Sequence, residues 1–283
     1  MGILNVTPDS FSDGGNFFSY EKAVEHAAEM IADGADIIDV GGESTRPGAT
    51  IVEDTEEIRR VVPVIAEIRQ RFPDVKISID TTKSCVALAA IKAGADMVND
   101  VSAFRLDSKM PEVVREAGSG VILMHSRGEI EDLASYAHAG YEGDAVVTII
   151  EELSASAGLA LSSGIAKDRI VLDPGFGFSK VSATSMELLS RLTELVAIGF
   201  PVLVGVSRKR FVTEVMLRVD DNLVGDTKSA SLSIKDRDVG TEALNVVGLL
   251  NGARIFRVHN VRMARRALDA VWPIITTRTV DAD

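Results

Sequence analysis

A (β/α)8 barrel of the α/β class, one domain spanning residues 1–283, is the fold this sequence predicts. Three observations predict it. Eight short apolar runs alternate with amphipathic stretches, the pattern of βα units around a parallel sheet. The runs are near-continuous Val, Ile and Leu, as in strands covered on both faces. The length of 283 residues is one that such barrels reach as a single domain. An open doubly wound sheet is the alternative for the same alternation.

The predicted strands are Ile3–Val6, Asp36–Val40, Lys76–Asp80, Asp96–Asn99, Val121–His125, Ile170–Asp173, Val202–Val206 and Ala253–Val258. The first predicted helix, Tyr20–Asp33, follows Ser19 as N-cap. Asp54–Arg71 carries Ile58, Val61, Val62, Ile65 and Ile68 at helical spacing. Lys83–Ala93, Pro111–Glu116, Asp144–Ala157, Met186–Ile198, Thr241–Leu250 and Val261–Val271 complete the set. Gly34, Gly94, Gly118 and Gly252 stand where helices should end in a glycine cap before the next strand. Two loops exceed what a barrel needs, Thr7–Ser19 and Arg208–Gly240; long βα loops tend to carry function. Within the second, Phe211–Val219 reads as a short amphipathic helix and Asp220–Asp238 as a polar, mobile stretch.

Composition narrows the function. Hydrophobic residues make up 46%, enough for a large core without metal or disulfide staples. The one cysteine, Cys85, reads as partly buried early in a helix. A formal charge of −12 argues against nucleic acid or an anionic membrane surface as partner. With no run of 18 apolar residues and no signal-peptide pattern, a cytoplasmic location is expected. His26 and His138 read as surface residues, and no His pair, Cys cluster, Walker A, GxGxxG or Gly-x-Ser-x-Gly motif occurs.

The chemistry should sit at the strand ends, because barrels place their sites on the C-terminal face. Asn5, Asp39, Asp80, Asn99 with Asp100, His125, Asp173, Ser207-Arg208-Lys209, and Arg257 with His259 stand there, one set per strand. Strands do often terminate in polar residues, but charge after every apolar run is too costly to bury without use. Asp39, Asp80, Asn99 and Asp173 suit a planar heterocycle with amino and ring N–H donors. Lys209, Arg257 and His259 on the last two strands suit a phosphate. Asn5, next to strand 8 in a closed barrel, could contribute an oxygen to a Mg2+ shell shared with that phosphate. The run Asp173-Pro-Gly-Phe-Gly-Phe-Ser-Lys180 is rich in glycine and marks a turn.

These residues also form motifs. Asn5-Val6-Thr7-Pro8-Asp9-Ser10-Phe11-Ser12-Asp13-Gly14-Gly15 resembles the first signature of the dihydropteroate synthases, and Asp39-Val40-Gly41-Gly42-Glu43-Ser44-Thr45-Arg46-Pro47-Gly48 their second. Ser78–Thr81, Val98–Val101, Leu123–His125, Asp173–Phe178, Ser207–Lys209 and Arg257–His259 follow in the family's order. The similarity covers nearly the whole chain. Ser179, Thr213 and Asn260 depart from it, standing where Gly, Gly and Asp are common.

The resemblance implies condensation of 6-hydroxymethyl-7,8-dihydropterin diphosphate with 4-aminobenzoate, yielding 7,8-dihydropteroate and pyrophosphate in folate biosynthesis, with Mg2+ as cofactor. It implies pterin contacts from Asp39, Asp80, Asn99, Met124, Asp173, Phe178, Lys209 and Arg257. It implies diphosphate contacts from Asn5, Thr45, Arg257 and His259, with Asn5 on the metal. For 4-aminobenzoate it implies Phe11, Thr45, Arg46, Pro47, Ser207 and Lys209. Lys209, Arg257 and His259 are the expected catalytic residues. A homodimer is expected, with Leu244, Val247, Leu250 and Leu268 as candidate interface residues. Sulfonamide sensitivity or insensitivity would turn on packing near Phe11, Arg46, Pro47 and Lys209–Phe211. The alternatives are a pterin-dependent methyltransferase of the same superfamily and a catalytically inactive pterin-binding protein.

Overall fold

The protein, seen in a computed structural model, is described over residues 1–7, 15–44, 51–133, 135–224 and 232–280. The strands are β1 (Gly2–Asn5), β2 (Ile37–Gly41), β3 (Lys76–Asp80), β4 (Met97–Asp100), β5 (Gly120–Met124), β6 (Ile170–Asp173), β7 (Leu203–Val204) and β8 (Ile255–Phe256). Each pairs in parallel with its sequence neighbour, β1 to β6 in one run and β7 with β8. Bridges from Leu172 to Val202 and from Gly2 to Val258 join the two pieces at both sides. Backbone bonds accompany them, Leu172 N–H to Pro201 O at 2.9 Å and Ile3 N–H to Val258 O at 3.0 Å. The sheet therefore closes on itself as a (β/α)8 barrel, and the open sheet is excluded.

The helices are α1 (Gly15–Ala32), α2 (Asp54–Arg71), α3 (Ser84–Ala93), α4 (Met110–Ala117), α5 (Ala145–Ser162), α6 (Ser182–Ser190), α7 (Leu192–Val196), α8 (Arg210–Val224), α9 (Ile234–Leu250) and α10 (Val261–Val280). Four details depart from expectation. α1 begins at Gly15, so Ser19 lies inside it rather than at its cap. The helix expected over Met186–Ile198 is two, broken at Arg191, whose side chain binds Asp144, Glu187 and Glu194. Cys85 is exposed, because α3 buries its other face through Ser84, Val86, Ala87 and Ala90. And α9 begins at Ile234, within the stretch expected to be mobile, on a capping box in which Ser233 and Asp236 satisfy each other's backbone N–H.

Strand alternation divides the core into two layers. Leu4, Ile38, Val40, Ile77, Ile79, Val98 and Leu123 join the apolar cluster shared with the helices. The intervening residues fill the barrel, apolar at Ile3, Ile122 and Leu203 and polar toward the carboxyl ends. α5 is long and apolar enough to span a membrane by length and composition alone. Here it lays Val146, Ile149, Leu153, Ala157 and Ala160 on the barrel.

α9 presents a buried polar stripe, Asp238, Thr241, Glu242 and Asn245. Asn245 Nδ2 donates to Glu242 Oε2 at 3.0 Å, while Glu242 Oε1 and Asn245 Oδ1 find no partner among the described residues. Burial raises the Glu242 carboxyl from 4.5 to about 7. The native state thus keeps a proton that the unfolded chain gives up, and this group's contribution to stability falls as pH rises from about 4.5 through 7. Glu242→Gln should therefore gain stability relative to the parent between pH 5 and pH 8, read as urea midpoints. An equal difference at both pH values would refute the assignment.

Candidate active site at the barrel mouth

Arg257, just past β8, reaches across the barrel end. Its Nε donates to Asp39 Oδ2 and a terminal nitrogen to Asp80 Oδ2, each at 2.6 Å. Asn99 Nδ2 donates to the same Asp39 oxygen at 3.1 Å. Strand period explains the meeting, since Asp39, Asp80 and Asn99 occupy interior-facing positions near the ends of adjacent strands. Asp39 is fully buried, and its Oδ1 has no partner among the described residues. Burial, reinforced by Asp39, pushes the Asp80 carboxyl upward, and Arg257 opposes the shift. The two carboxylates in turn raise the Arg257 guanidinium against the effect of its burial.

The end of β6 supplies a third carboxylate. Asp173 Oδ1 accepts the Gly175 N–H at 2.7 Å. Burial raises the Asp173 carboxyl, with the charge of Lys209 opposing. Gly175 is obligatory, because its φ is +67° and a Cβ there would stand 2.0 Å from His125 O. Lys209, in the loop after β7, donates its ammonium to the Phe176 carbonyl and lies 4.1 Å over the Phe178 ring. Burial lowers this amine to about 7, against the pull of Asp173. Met124 is buried beside Phe178 in a small cluster with Val101 and Leu133. Asp39, Asp80, Asn99, Met124, Asp173, Phe178, Lys209 and Arg257 are thus all at one end of the barrel.

Ser207 and His259 meet as well: Ser207 Oγ lies 2.9 Å from His259 Nδ1 and accepts the His259 N–H at 3.1 Å. Between Ser207 and Lys209, Arg208 adopts φ +57°, a costly conformation for a non-glycine residue. Both of its ends are held. Its guanidinium binds Asp238 at 2.6 and 2.9 Å, and its N–H donates to Thr241 Oγ1 at 3.1 Å. Asn260 Nδ2 donates to Asp238 Oδ2 at 3.1 Å, so one carboxylate fastens the loops that carry Lys209 and His259. An Asp at position 260 could not make that donation. On the far side, Asn5 at the end of β1 pairs in register with Gly41. A Cβ on Gly41 would lie 3.8 Å from Asn5 Oδ1 and 3.5 Å from Asp80 Cβ, which places Gly41 between these two side chains.

One strand end does not join the ring. His125 is buried and points behind it, with Nδ1 2.8 Å from Lys180 Nζ and Nε2 2.8 Å from Glu152 Oε2 on α5. Burial, with the Lys180 charge, lowers its imidazole to about 4. Asp100 also turns to structure, accepting from Ser102 N–H, Ser102 Oγ and Phe104 N–H at 2.7–2.8 Å. Phe11, Thr45, Arg46 and Pro47 lie outside the described residues. The chain on either side of the second motif is fastened by Lys83. Its ammonium reaches Glu57 Oε2 at 2.7 Å, Glu43 Oε1 at 3.2 Å and Val52 O at 2.6 Å. Glu43 Oε1 also accepts the Val52 N–H at 2.6 Å. Sequence reasoning missed Asp238, Lys180, Glu152 and Lys83, since each acts through contacts distant in sequence. The capping box at Ser233 was the available signal for Asp238, and the lysine ending the glycine-rich run that for Lys180.

Known proteins resemble this chain closely. The family described as "Pterin binding enzyme" matches residues 1–259. A dihydropteroate synthase of Streptococcus pyogenes is 46% identical over 262 residues, 93% of this chain and 90% of the relative. A Clostridium difficile dihydropteroate synthase, crystallised in the presence of pteroic acid, has 42% identity and a TM-score of 0.86, over 97% of this chain and 95% of that one. The Xanthomonas albilineans enzyme in complex with 7,8-dihydropteroate has 36% identity and a TM-score of 0.81, over 98% of this chain and 92% of that one. With the family motifs converging on one barrel mouth and this similarity along nearly its full length, the chain belongs to the dihydropteroate synthase family of pterin-binding enzymes.

Proposed function

We propose that the barrel mouth condenses 6-hydroxymethyl-7,8-dihydropterin diphosphate with 4-aminobenzoate, releasing pyrophosphate and forming 7,8-dihydropteroate. The chain is a transferase of its family. The observation that carries the reading is the buried Asp39 Oδ1, an acceptor with no partner among the described residues, beside Asn99 and Arg257. A buried carboxylate oxygen without a donor is costly. The amino and ring N–H groups of a pterin would supply one.

In this reading Asp39, Asp80, Asn99, Asp173 and Lys209 hold the pterin edge, with Met124 and Phe178 as apolar contacts. Arg257 lies against the ring and, with His259, Asn5 and Thr45, receives the diphosphate. Ser207, Lys209 and the start of α8 accept the 4-aminobenzoate carboxylate, since a helix N-terminus suits an anion. Phe11, Thr45, Arg46 and Pro47 complete that pocket. Departure of the diphosphate leaves positive charge on the pterin methylene, which the aniline nitrogen attacks. Positioning and electrostatic stabilisation do most of the work, and no tuned general base is required.

The oxygen-rich rim fits Mg2+. Among the described residues no three His, Cys, Asp or Glu side chains form a protein cage. Mg2+ bound together with a diphosphate would need only one or two protein oxygens, and Asn5 would supply one. When bound it would neutralise the leaving group. The same reading includes a homodimer and a cytoplasmic setting. Val247 and Leu250 are exposed on α9 as candidate interface residues, while Leu244 and Leu268 pack partly inward.

Purified protein with Mg2+ and both substrates should release pyrophosphate; folded protein that releases none would overturn the proposal. Lys209→Ala should lose about 10- to 100-fold in kcat/KM for the pterin diphosphate, the value of one or two charge-assisted bonds. Unchanged turnover and pterin affinity would remove Lys209 from the site. Asn5→Ala should raise the Mg2+ concentration for half-maximal rate by about tenfold or more, as loss of a metal-site partner does. A parent-like magnesium titration would withdraw Asn5 as a ligand.

A further inference from the structure

Lys180 is fully buried, and no carboxylate pairs with it among the described residues. Its ammonium is surrounded by acceptors instead. These are His125 Nδ1 at 2.8 Å, Phe178 O at 3.0 Å, Gly175 O at 3.1 Å and His125 O at 3.3 Å. A lysine is seldom buried this completely without a carboxylate, and a hydrophobic residue would fill the volume at less desolvation cost. The substrate-facing chemistry outlined above makes no use of it.

Burial lowers the Lys180 amine well below its ordinary value, while four acceptors favour its protonated form; they explain what the group does. Gly175 and Phe178 bracket the turn after β6 whose intermediate carbonyl, Phe176 O, receives the Lys209 ammonium. The Phe178 ring lies under that same ammonium. The turn begins at Asp173, whose Oδ1 is engaged by Gly175 N–H. One buried cation therefore fixes the carbonyls on either side of the position where a second cation docks. His125 completes the arrangement. Its Nε2 faces the Glu152 carboxylate, itself bound by Arg127, so the ring proton belongs on Nε2 and Nδ1 is an acceptor. The neighbouring loop is joined to the same turn by Ser179, whose Oγ accepts from Arg127 N–H at 3.0 Å and donates to Arg127 O at 2.9 Å.

We infer that Lys180 is a positioning residue of the pterin pocket: held by His125, its ammonium sets the Asp173–Phe178 turn and through it the placement of Lys209. The inference rests on the pterin-binding reading of that turn. Lys180 touches no substrate; it acts through the carbonyls it holds. The turn carries Asp173 and Phe178 for the heterocycle and shares only Lys209 with 4-aminobenzoate, so its loss should weaken the pterin more than 4-aminobenzoate.

The test measures KM for each substrate and the Kd of the pterin diphosphate alone, by ligand fluorescence, in full-length protein. Lys180→Met should raise the pterin Kd and KM about tenfold or more, the scale of lost charge-assisted bonds, and raise the 4-aminobenzoate KM by a clearly smaller factor, since that substrate shares only Lys209 with the turn. Lys180→Met may be replaced by a gentler pair should it not fold. His125→Leu removes the ring acceptor and should weaken pterin binding in the same selective way. His125→Asn retains an acceptor near the Nδ1 position and should restore binding to within about threefold of the parent. Equal losses for both substrates, or a lowered melting temperature with unchanged pterin Kd, would reduce Lys180 to a structural role and overturn the inference. Parent protein that neither binds pterin nor releases pyrophosphate would instead count against the proposed function, so the two failures are distinct.

Discussion

Arg257 lies between two carboxylates of the barrel mouth, and its charge opposes the burial that pushes Asp80 upward. Asp39 and Asp80 sit on adjacent strands, both drawn from water, and each binds one edge of the guanidinium at 2.6 Å. The planar fork of arginine suits this double engagement, which a lysine could not reproduce. The bond also spans the seam of the barrel, since it ties the segment after β8 to β2 and β3 across β1. Desolvation of such a group is unfavourable in itself. The arrangement therefore has a consequence for recognition: a ligand bearing donors for the carboxylates and a face for the guanidinium meets groups already oriented by one another.

A second basic group repeats the theme without a close ion pair among the described residues. Lys209 is balanced by Asp173 and rests on a carbonyl and an aromatic ring rather than on a full ion pair. The strain that brings it there is visible in Arg208, whose left-handed backbone is secured by Asp238 and Thr241. Strain of this kind persists where surrounding bonds over-determine it. Here they come from α9, a helix outside the barrel, so the loop that carries Lys209 is stabilised from the layer behind it.

Much of this was legible in the sequence, and the limits have physical reasons. The strands were readable because buried parallel strands leave unbroken apolar runs, and Asp39, Asp80, Asn99 and Asp173 were readable because each ends such a run. The period of two then places them inside the barrel without further information. His125 misled for the same reason. A polar strand end announces that it is near the mouth, and not which way it turns. Its direction depends on Lys180 and Glu152, which lie 55 and 27 residues away. Asp238 escaped because its polar surroundings resembled a loop, although the Ser233 capping box marked a helix start. The departure at Asn260 gained meaning only when Asp238 was found beside it, and that at Ser179 when its hydroxyl was found to hold Arg127 at a φ of +48°.

Lys83 bears on how this enzyme can change over time. Its single ammonium grips Glu43 and Val52, and these two grip each other, so the chain on both sides of the second motif is referred to the same fixed point on the barrel. Glu43 and Val52 are thereby held to each other and to α3 by bonds that do not involve the strand-end carboxylates. Distant, independently anchored sites tend to contribute additively. A barrel built this way fastens its rim and its carboxylate–guanidinium floor with separate ion pairs, so a change in one set need not disturb the other.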